Sequence, residues 1–464
     1  MDKAGLEKLL APFEQQHLLQ FWDELDAAGQ QSLASQIEGI DWTLLNKLAT
    51  AKDENDEWSQ RAERAEIPPA ITLDDFRDPD SSSAAYKLGA EALRAGKVAF
   101  VLVAGGQGSR LGFDHPKGMF PIGPVSERSL YQMIIEHVHA RAKQFGTSIP
   151  IYIMTSPPTH AESEKFLTEN NWFGYPPNDI RLFCQGVMAA VDAETGKALL
   201  ADKGTVFVSP DGHGGTLGGL DRSGCLADMK SRGIEQVFYG QVDNPLLQVC
   251  DPALIGYHIS HKSEMTSQVV RKESPLQKVG NVVSVDGVVQ IIEYSDLPEA
   301  CAKKTNDDGS LKLWAGSIAV HIFEREFLQG VSDSADGLPF HQAHKKVAFV
   351  DQDGKQVKPE SNNAVKFERF IFDLLPSAKN AIVCEVDAKE GFAAVKNAPP
   401  ADTETPDWVR AAISDLHRGW IQQAGGTVAA DAVVEISPFL AVEPKLLKEN
   451  YDLTKEVSGK VYLQ

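Results

Sequence analysis

An apolar run stops in glycines within LVAGGQGSRLGFDHPKGMF, residues 102–120. Gly105, Gly106 and Gly108 are followed by Arg110 and Lys117, seven positions apart. Glycines let the backbone turn sharply and come close to a ligand, and successive free N–H groups can cradle an anion. The two cations add charge that a polyphosphate requires and a neutral ligand does not. Asp243, in VDNPL after the apolar FYGQV, sets a carboxylate where a strand would end. That is a natural Mg2+ ligand, because magnesium keeps most of its waters and takes one or two carboxylates. The competing readings are a tight strand-to-helix turn with solvated basic residues, and an aspartate capping the turn before Pro245.

Two better-known glycine loops fit poorly. No Gly-Lys-Ser/Thr is present for a P-loop. A dinucleotide fingerprint counted from Gly106 meets Leu111 where the third glycine belongs, and the second strand ends in Thr155 and Ser156 instead of a ribose-binding acid.

These residues need a scaffold. VAFVLVA (98–104) reads as a strand buried on both faces. PIYIMTS (150–156), IRLFCQ (180–185), TVFVS (205–209) and QVFYGQVDN (236–244) read likewise, with helical segments at 127–145, 160–169 and 222–232. Alternation of this kind implies a doubly wound, mostly parallel α/β sheet. TSQVVRK, NVVSV and VVQIIEYS around 266–294 suggest hairpins, with Asp286-Gly287 as a turn. Residues 362–375 are expected as a helix and AIVCEV (381–386) as a strand. Helical periodicity fills 3–46, a polar linker spans 51–82, and the serines of DPDSSS would cap a helix over 84–95. Periodicity weakens after about 400. The expected organisation is an N-terminal helical region and linker (1–82), a catalytic domain (83–400) and a small C-terminal module (401–464).

The 464 residues carry 45 Lys and Arg against 65 Asp and Glu, a formal charge of −20. Such a surface repels nucleic-acid phosphates. Five scattered cysteines offer no zinc spacing and suggest reduced thiols. No apolar run reaches the roughly 20 residues that span a bilayer, and MDKAGLEKLL lacks the build of a signal peptide. A cytoplasmic protein without nucleic-acid or membrane partners is expected.

GGQGSRLGFDHPKGMF resembles the signature of the sugar nucleotidyltransferases, and among them the UDP-sugar pyrophosphorylases of the eukaryotic UDP-N-acetylhexosamine type. CQGVMAA (184–190), VSPDGHGG (208–215), GQVDNPLLQVCDPALIGY (240–257), VGNVVSVDGVVQIIEYSDL (279–297) and NAVKFERFIFDLLPSAKN (363–380) resemble that family in order and spacing. The resemblance implies a Rossmann-like core and a Mg2+-dependent reaction of UTP with a sugar 1-phosphate, giving a UDP-sugar and pyrophosphate. It further implies that Gly105 and Gly106 approach the nucleotide and that Arg110 grips the leaving pyrophosphate. Lys117 would stabilise charge on the α-phosphate, and Lys366 would contact phosphate. Gln185 and Gly212 match positions that read uracil, Asp243 the metal ligand, and Gly280 and Glu293 sugar-site positions.

Two departures bear on the sugar. His213 stands where the N-acetylhexosamine enzymes carry Asn, as in the glucose-1-phosphate relatives. Trp314 and Ser317, in LWAGSIAVHIF (313–323), stand where asparagines are expected. A tryptophan can stack on a sugar face and fill an acetyl pocket, or be core. N-acetylglucosamine 1-phosphate is the expected substrate. Glucose 1-phosphate or a relaxed range is the alternative. An NAD-dependent oxidoreductase and a non-catalytic nucleotide sensor are the rivals from other classes.

Overall fold

The computed structural model describes residues 1–51, 55–334 and 337–464. They fall into two compact units drawn from interleaved segments, unlike the continuous segments expected above. The smaller comprises Met1–Asp56, Gln185–Gly218 and Asp336–Asp373; the larger comprises Glu57–Cys184, Gly219–Ala335 and Leu374–Gln464.

A ten-stranded sheet organises the larger unit. Its main path uses β1 (Ala70–Ile71), β2 (Val98–Val103), β3 (Ile151–Thr155), β4 (Ile180–Cys184), β5 (Gln236–Gln241), β6 (Met265–Arg271), β7 (Ala315–Glu324) and β8 (Ile382–Glu385). The order is β1-β8-β6-β7-β5-β2-β3-β4. Neighbours are parallel except where β7 runs antiparallel to both β6 and β5. This is the expected mixed, mostly parallel α/β sheet. Val98 to Leu102 of β2 are at most 1% exposed, as a strand covered on both faces must be. The hairpin Asn281–Val285/Val288–Ile292 turns at Asp286 (φ 53°) and Gly287 (φ 83°), and joins β7 through Asn281 opposite Gly316. Two positive φ values in succession are what Asp-Gly supplies to a two-residue turn.

Helix Leu130–Phe145 starts where the Ser129 hydroxyl accepts from Gln132 N, and it stops at left-handed Gly146. Helices Pro79–Arg94 and Pro252–Ser260 meet closely at glycines. A Cβ on Gly256 would lie 1.7 Å from Ala85 O, and one on Gly89 1.9 Å from Pro252 O.

Several expectations are corrected. The helix expected from 84 starts at Pro79, so the serines lie inside it; Ser82 N donates to Asp78 O at 3.0 Å, and proline suits a first helical position. The 51–82 stretch, whose residues 52–54 lie outside the described ones, holds β1 and helix Leu73–Arg77. TVFVS divides into Thr205–Val206 and Val208–Pro210, each in a two-stranded ribbon of the smaller unit instead of the main sheet. In 222–232 the helix Cys225–Ser231 follows left-handed Gly224. Beyond 400, where periodicity weakened, an 18-residue helix Pro406–Gln423 forms, capped by Thr405. It packs with parallel strands Val433–Ile436 and Lys460–Leu463 over Trp420, Val434, Leu447 and Leu463.

The largest correction concerns 362–375. Ala364–Glu368 is a strand between His341–Lys345 and Val191–Asp192, both antiparallel to it. A 3-10 turn follows from Ile371. In the same unit helices Lys3–Leu10, Ala27–Glu38 and Trp42–Thr50 are each capped by an aspartate: Asp2, Asp26 and Asp41. Leu6, Leu10, Leu18, Leu33 and Ile37 are 0% exposed and share a core with Phe367.

Candidate active site

Strands β2 and β5 are parallel neighbours, so their carboxyl ends emerge side by side. The glycine loop leaves β2 and closes on itself. Gly108 N donates to His115 O (2.8 Å) and Lys117 N to Gly106 O (3.0 Å), while Ser156 Oγ donates to Gly105 O (2.6 Å). A Cβ on Gly106 would meet nothing within 4 Å, so the space before it is open. Arg110 is exposed on the turn Ser109–Leu111.

Asp243 follows β5. Its carboxylate accepts from Lys117 Nζ at 3.2 Å, with the side chains 15% and 17% exposed. Val395 N donates to Asp243 O at 2.9 Å. The turn before Pro245 is capped by Asn244, not Asp243: Asn244 Oδ1 accepts from Leu246 N (3.3 Å) and Ala393 N (3.0 Å). The carboxylate of Asp243 is thereby left to face Lys117.

A second cluster lies at the hairpin. A Cβ on Gly280 would stand 3.0 Å from Glu293 Oε1, 2.8 Å from Ile291 Cγ2 and 3.7 Å from Ser317 Cβ. Gly280, Glu293 and Ser317 therefore converge. Between Ser317 and Val320 the pairing with β6 slips, and Ala319 takes φ 54°. Such a bulge re-aims neighbouring side chains. Trp314 is buried, and the guanidinium of Arg271 lies 4.3 Å from its ring centre, itself bonded to Glu385. At least one face of the indole is thus covered by protein.

In the smaller unit, Gln185 is buried and precedes Gly186, whose carbonyl accepts from Asp211 N (3.1 Å). Gly212 has φ 79°, and a Cβ there would lie 2.5 Å from Arg369 O. Glycine satisfies both the conformation and the contact. Arg369 zips onto this turn: its N donates to Asp211 O (2.8 Å), its carbonyl accepts from Gly214 N (2.7 Å), and its guanidinium pairs with the buried Asp211 carboxylate. His213 Nδ1 accepts from Ile371 N (3.3 Å), which requires the neutral ring. Burial, and then the neighbouring His341, push its pKa down to about 4. Lys366 lies on strand Ala364–Glu368, three residues before Arg369, with Nζ 5.1 Å from the centre of the Phe207 ring. Burial lowers its pKa from the ordinary lysine value, against the pull of Glu368.

Nine of the twelve expected residues fall into three local groups: Gly105, Gly106, Lys117 and Asp243; Gly280 and Glu293; Gln185, Gly212 and His213. Sequence reasoning missed Asp211, Arg369 and Asn244. A carboxylate inside the glycine-rich VSPDGHGG was the available signal for Asp211. Among the described residues no helix is long and apolar enough to cross a membrane.

Residues 48–401 match the protein family described as UTP–glucose-1-phosphate uridylyltransferase. The chain is 35% identical to UDP-N-acetylhexosamine pyrophosphorylase-like protein 1 of Xenopus tropicalis, over 96% of this chain and 93% of that one. It is 33% identical to the UDP-N-acetylglucosamine pyrophosphorylase of Saccharomyces cerevisiae, over 92% and 93%. Its fold matches the UDP-N-acetylglucosamine pyrophosphorylase of Trypanosoma brucei with a TM-score of 0.85, covering 100% of this chain and 98% of that chain at 24% identity.

Proposed function

The chain belongs to the UTP–glucose-1-phosphate uridylyltransferase family, and on that premise we propose that it couples UTP to N-acetylglucosamine 1-phosphate with Mg2+. The observation that carries the sugar is the likeness, above 30% identity across nearly the whole chain, to relatives named for N-acetylhexosamine and N-acetylglucosamine.

The sugar phosphate oxygen attacks the α-phosphorus of UTP in line. The bond from that phosphorus to the bridging oxygen breaks, and pyrophosphate leaves with the bond electrons. No enzyme nucleophile is needed, so positioning and charge neutralisation supply the catalysis. Lys117 neutralises charge growing on the α-phosphate. Arg110, exposed on its turn, grips the departing pyrophosphate with its planar fork. Gly105 and Gly106 admit the triphosphate to the backbone of the loop. Lys366, with its ammonium partly desolvated, contacts phosphate, while Gln185 and Gly212 read the uracil edge beside His213. Gly280, Glu293 and Trp314 shape the sugar site, Glu293 accepting from sugar hydroxyls.

Asp243 fits Mg2+ by its donor chemistry. It offers one hard carboxylate, and no cluster of three His, Cys, Asp or Glu suited to a metal occurs among the described residues. Asp243 would hold the ion, with substrate phosphate oxygens and water completing its shell. When bound, Mg2+ neutralises and polarises the phosphates.

Glucose 1-phosphate is the second reading, favoured by His213, Trp314 and Ser317. A site built to hydrogen-bond one sugar rejects an analogue that leaves its polar groups unpaired. We also place the protein in the cytoplasm, supported by Cys184, Cys225, Cys250, Cys301 and Cys384 as free thiols.

Pyrophosphate release from UTP and Mg2+, measured across the 1-phosphates of N-acetylglucosamine, N-acetylgalactosamine, glucose and galactose, tests both levels. Fastest turnover with N-acetylglucosamine 1-phosphate is expected. Preference for glucose 1-phosphate overturns the sugar assignment, and silence across the panel overturns catalysis in favour of a nucleotide sensor.

A further inference from the structure

The chain leaving Lys117 is anchored more than three hundred residues further on. Lys117–Met119 is a single 3-10 turn, closed by Phe120 N donating to Lys117 O (3.0 Å). A hairpin follows: Leu130 N donates to Phe120 O (3.0 Å), and Ile122 N and Gly123 N to Arg128 O (2.9 and 3.1 Å). Its tip sits on the carboxylate of Glu435, from strand Val433–Ile436. Glu435 Oε2 accepts from Val125 N (2.8 Å) and Ser126 N (2.7 Å), and Oε1 from Ser126 Oγ (2.6 Å). Glu435 is 2% exposed. Charge-assisted bonds of this kind are the strong ones.

Two more contacts from beyond residue 400 hold the same hairpin. Arg128 pairs with Glu136 (2.5 Å) and bonds the Tyr462 hydroxyl, and Arg410 Nη2 donates to Pro121 O (2.9 Å). On its return the hairpin starts helix Leu130–Phe145, whose Tyr131 ring packs against Gly118; a Cβ there would fall 2.4 Å from the ring. Tip, helix start and Lys117 turn therefore form one connected path ending 3.2 Å from Asp243.

We propose that Glu435 is a positioning residue for uridylyl transfer: through the 123–128 tip and the start of the Leu130 helix it holds the Lys117 turn against Asp243. This rests on the role of Lys117 given above. Without the carboxylate, two amides at the tip lose their acceptor, and the hairpin gains freedom that its base shares. A misplacement of about 1 Å at a charge-stabilising group costs turnover even when the group remains.

In the full chain, Glu435→Ala is expected to lower kcat about tenfold while the KM for UTP stays within about twofold, because the loss falls on the transition state. Glu435→Gln keeps an oxygen acceptor and should recover most of kcat. Native kcat in Glu435→Ala overturns the proposal, as does a loss shared equally by Glu435→Gln in step with Tm. If Glu435→Ala does not fold, Ser126→Ala removes one of the three bonds. A twofold to threefold fall in kcat at native Tm is then expected, on the order of a partly lost hydrogen bond, and unchanged kcat overturns the proposal. Amide exchange in the substrate-free protein separates this from the assignment of the reaction. Glu435→Ala, or Ser126→Ala in its place, should speed exchange at Lys117 and Phe120 as well as at Val125 and Ser126. Acceleration confined to 125–126 overturns the positioning role whatever the wild type catalyses.

Discussion

Lys117 Nζ lies 3.2 Å from Asp243 Oδ2, although 126 positions separate the two residues in the chain. The contact exists because β2 and β5 are adjacent and parallel, so the turns beyond both strands open at the same edge. The two side chains are only 17% and 15% exposed, and each charge is neutralised by the other. In the proposed reaction a triphosphate and its cation would offer each of them a new partner of the same sign as the old one, so the pair is complementary in charge to such a substrate.

Lys117→Ala should lower kcat about a hundredfold, a typical loss for one transition-state charge stabiliser, and raise the KM for UTP only a few-fold. Steady-state kinetics check this. Equal losses in the two constants would assign Lys117 to ground-state binding instead.

Asp243→Asn should raise the Mg2+ concentration for half-maximal rate about tenfold, equivalent to about 1.4 kcal/mol. Thermal stability should fall as well, because the pair is only 15–17% exposed and the substitution leaves the Lys117 charge without its partner, so the metal titration is the deciding readout. A Mg2+ titration unchanged by the substitution would remove Asp243 from the metal site.

Two variants address the sugar. Gly280→Ala places a methyl 3.0 Å from Glu293 Oε1 and 2.8 Å from Ile291 Cγ2, so the KM for the sugar 1-phosphate should rise while that for UTP stays constant. Trp314→Asn removes a buried indole and should cost about 3–5 kcal/mol of stability. Its informative readout is therefore a ratio: kcat/KM for the N-acetylated sugar over the plain one should increase. An unchanged ratio would mark Trp314 as core under Arg271 and not as a selector.

Acid should destabilise the fold through four histidines, His258 and His417 buried and His137 and His213 half-buried. Burial pushes His137 and His258 down to about 3, and His213 and His417 to about 4. All four are neutral in the fold at pH 6.5, where the unfolded chain begins to protonate them. Their folded pKa values are depressed, so the unfolded state binds the extra protons and stability falls as pH drops from 6.5 towards 4. Urea denaturation between pH 7 and 5 should show this loss, and His213→Asn should reduce its slope. A flat profile would mean that these rings are solvated and titrate normally.

The fold was legible where chemistry is local. Buried strands announced themselves as continuous apolar runs, and Asp286-Gly287 carried its own turn conformation. Periodicity over 3–46 announced the N-terminal helices, whereas their aspartate caps at Asp2, Asp26 and Asp41 emerged only in the structure. The small region beyond 400 was harder: Val409, Ile413, Trp420 and Ile421 are buried at helical spacing, but intervening Ala, Ser and Gly dilute the pattern.

The sequence alone determined the α/β class, the glycine loop with its two cations, the hairpin and the family likeness, because each rests on neighbouring residues or on order along the chain. Tertiary structure decided that Lys366 lies on a strand. In NAVKFERFIFDLL the apolar positions satisfy both a helical and an alternating period, and the balance is tipped by hydrogen bonds to His341–Lys345 and Val191–Asp192, which no local pattern displays. It also decided which carboxylate faces Lys117 and which buried one, Glu435, receives the hairpin tip. Those choices follow from strand order and long-range pairing, whose energies are set by groups far apart in the chain.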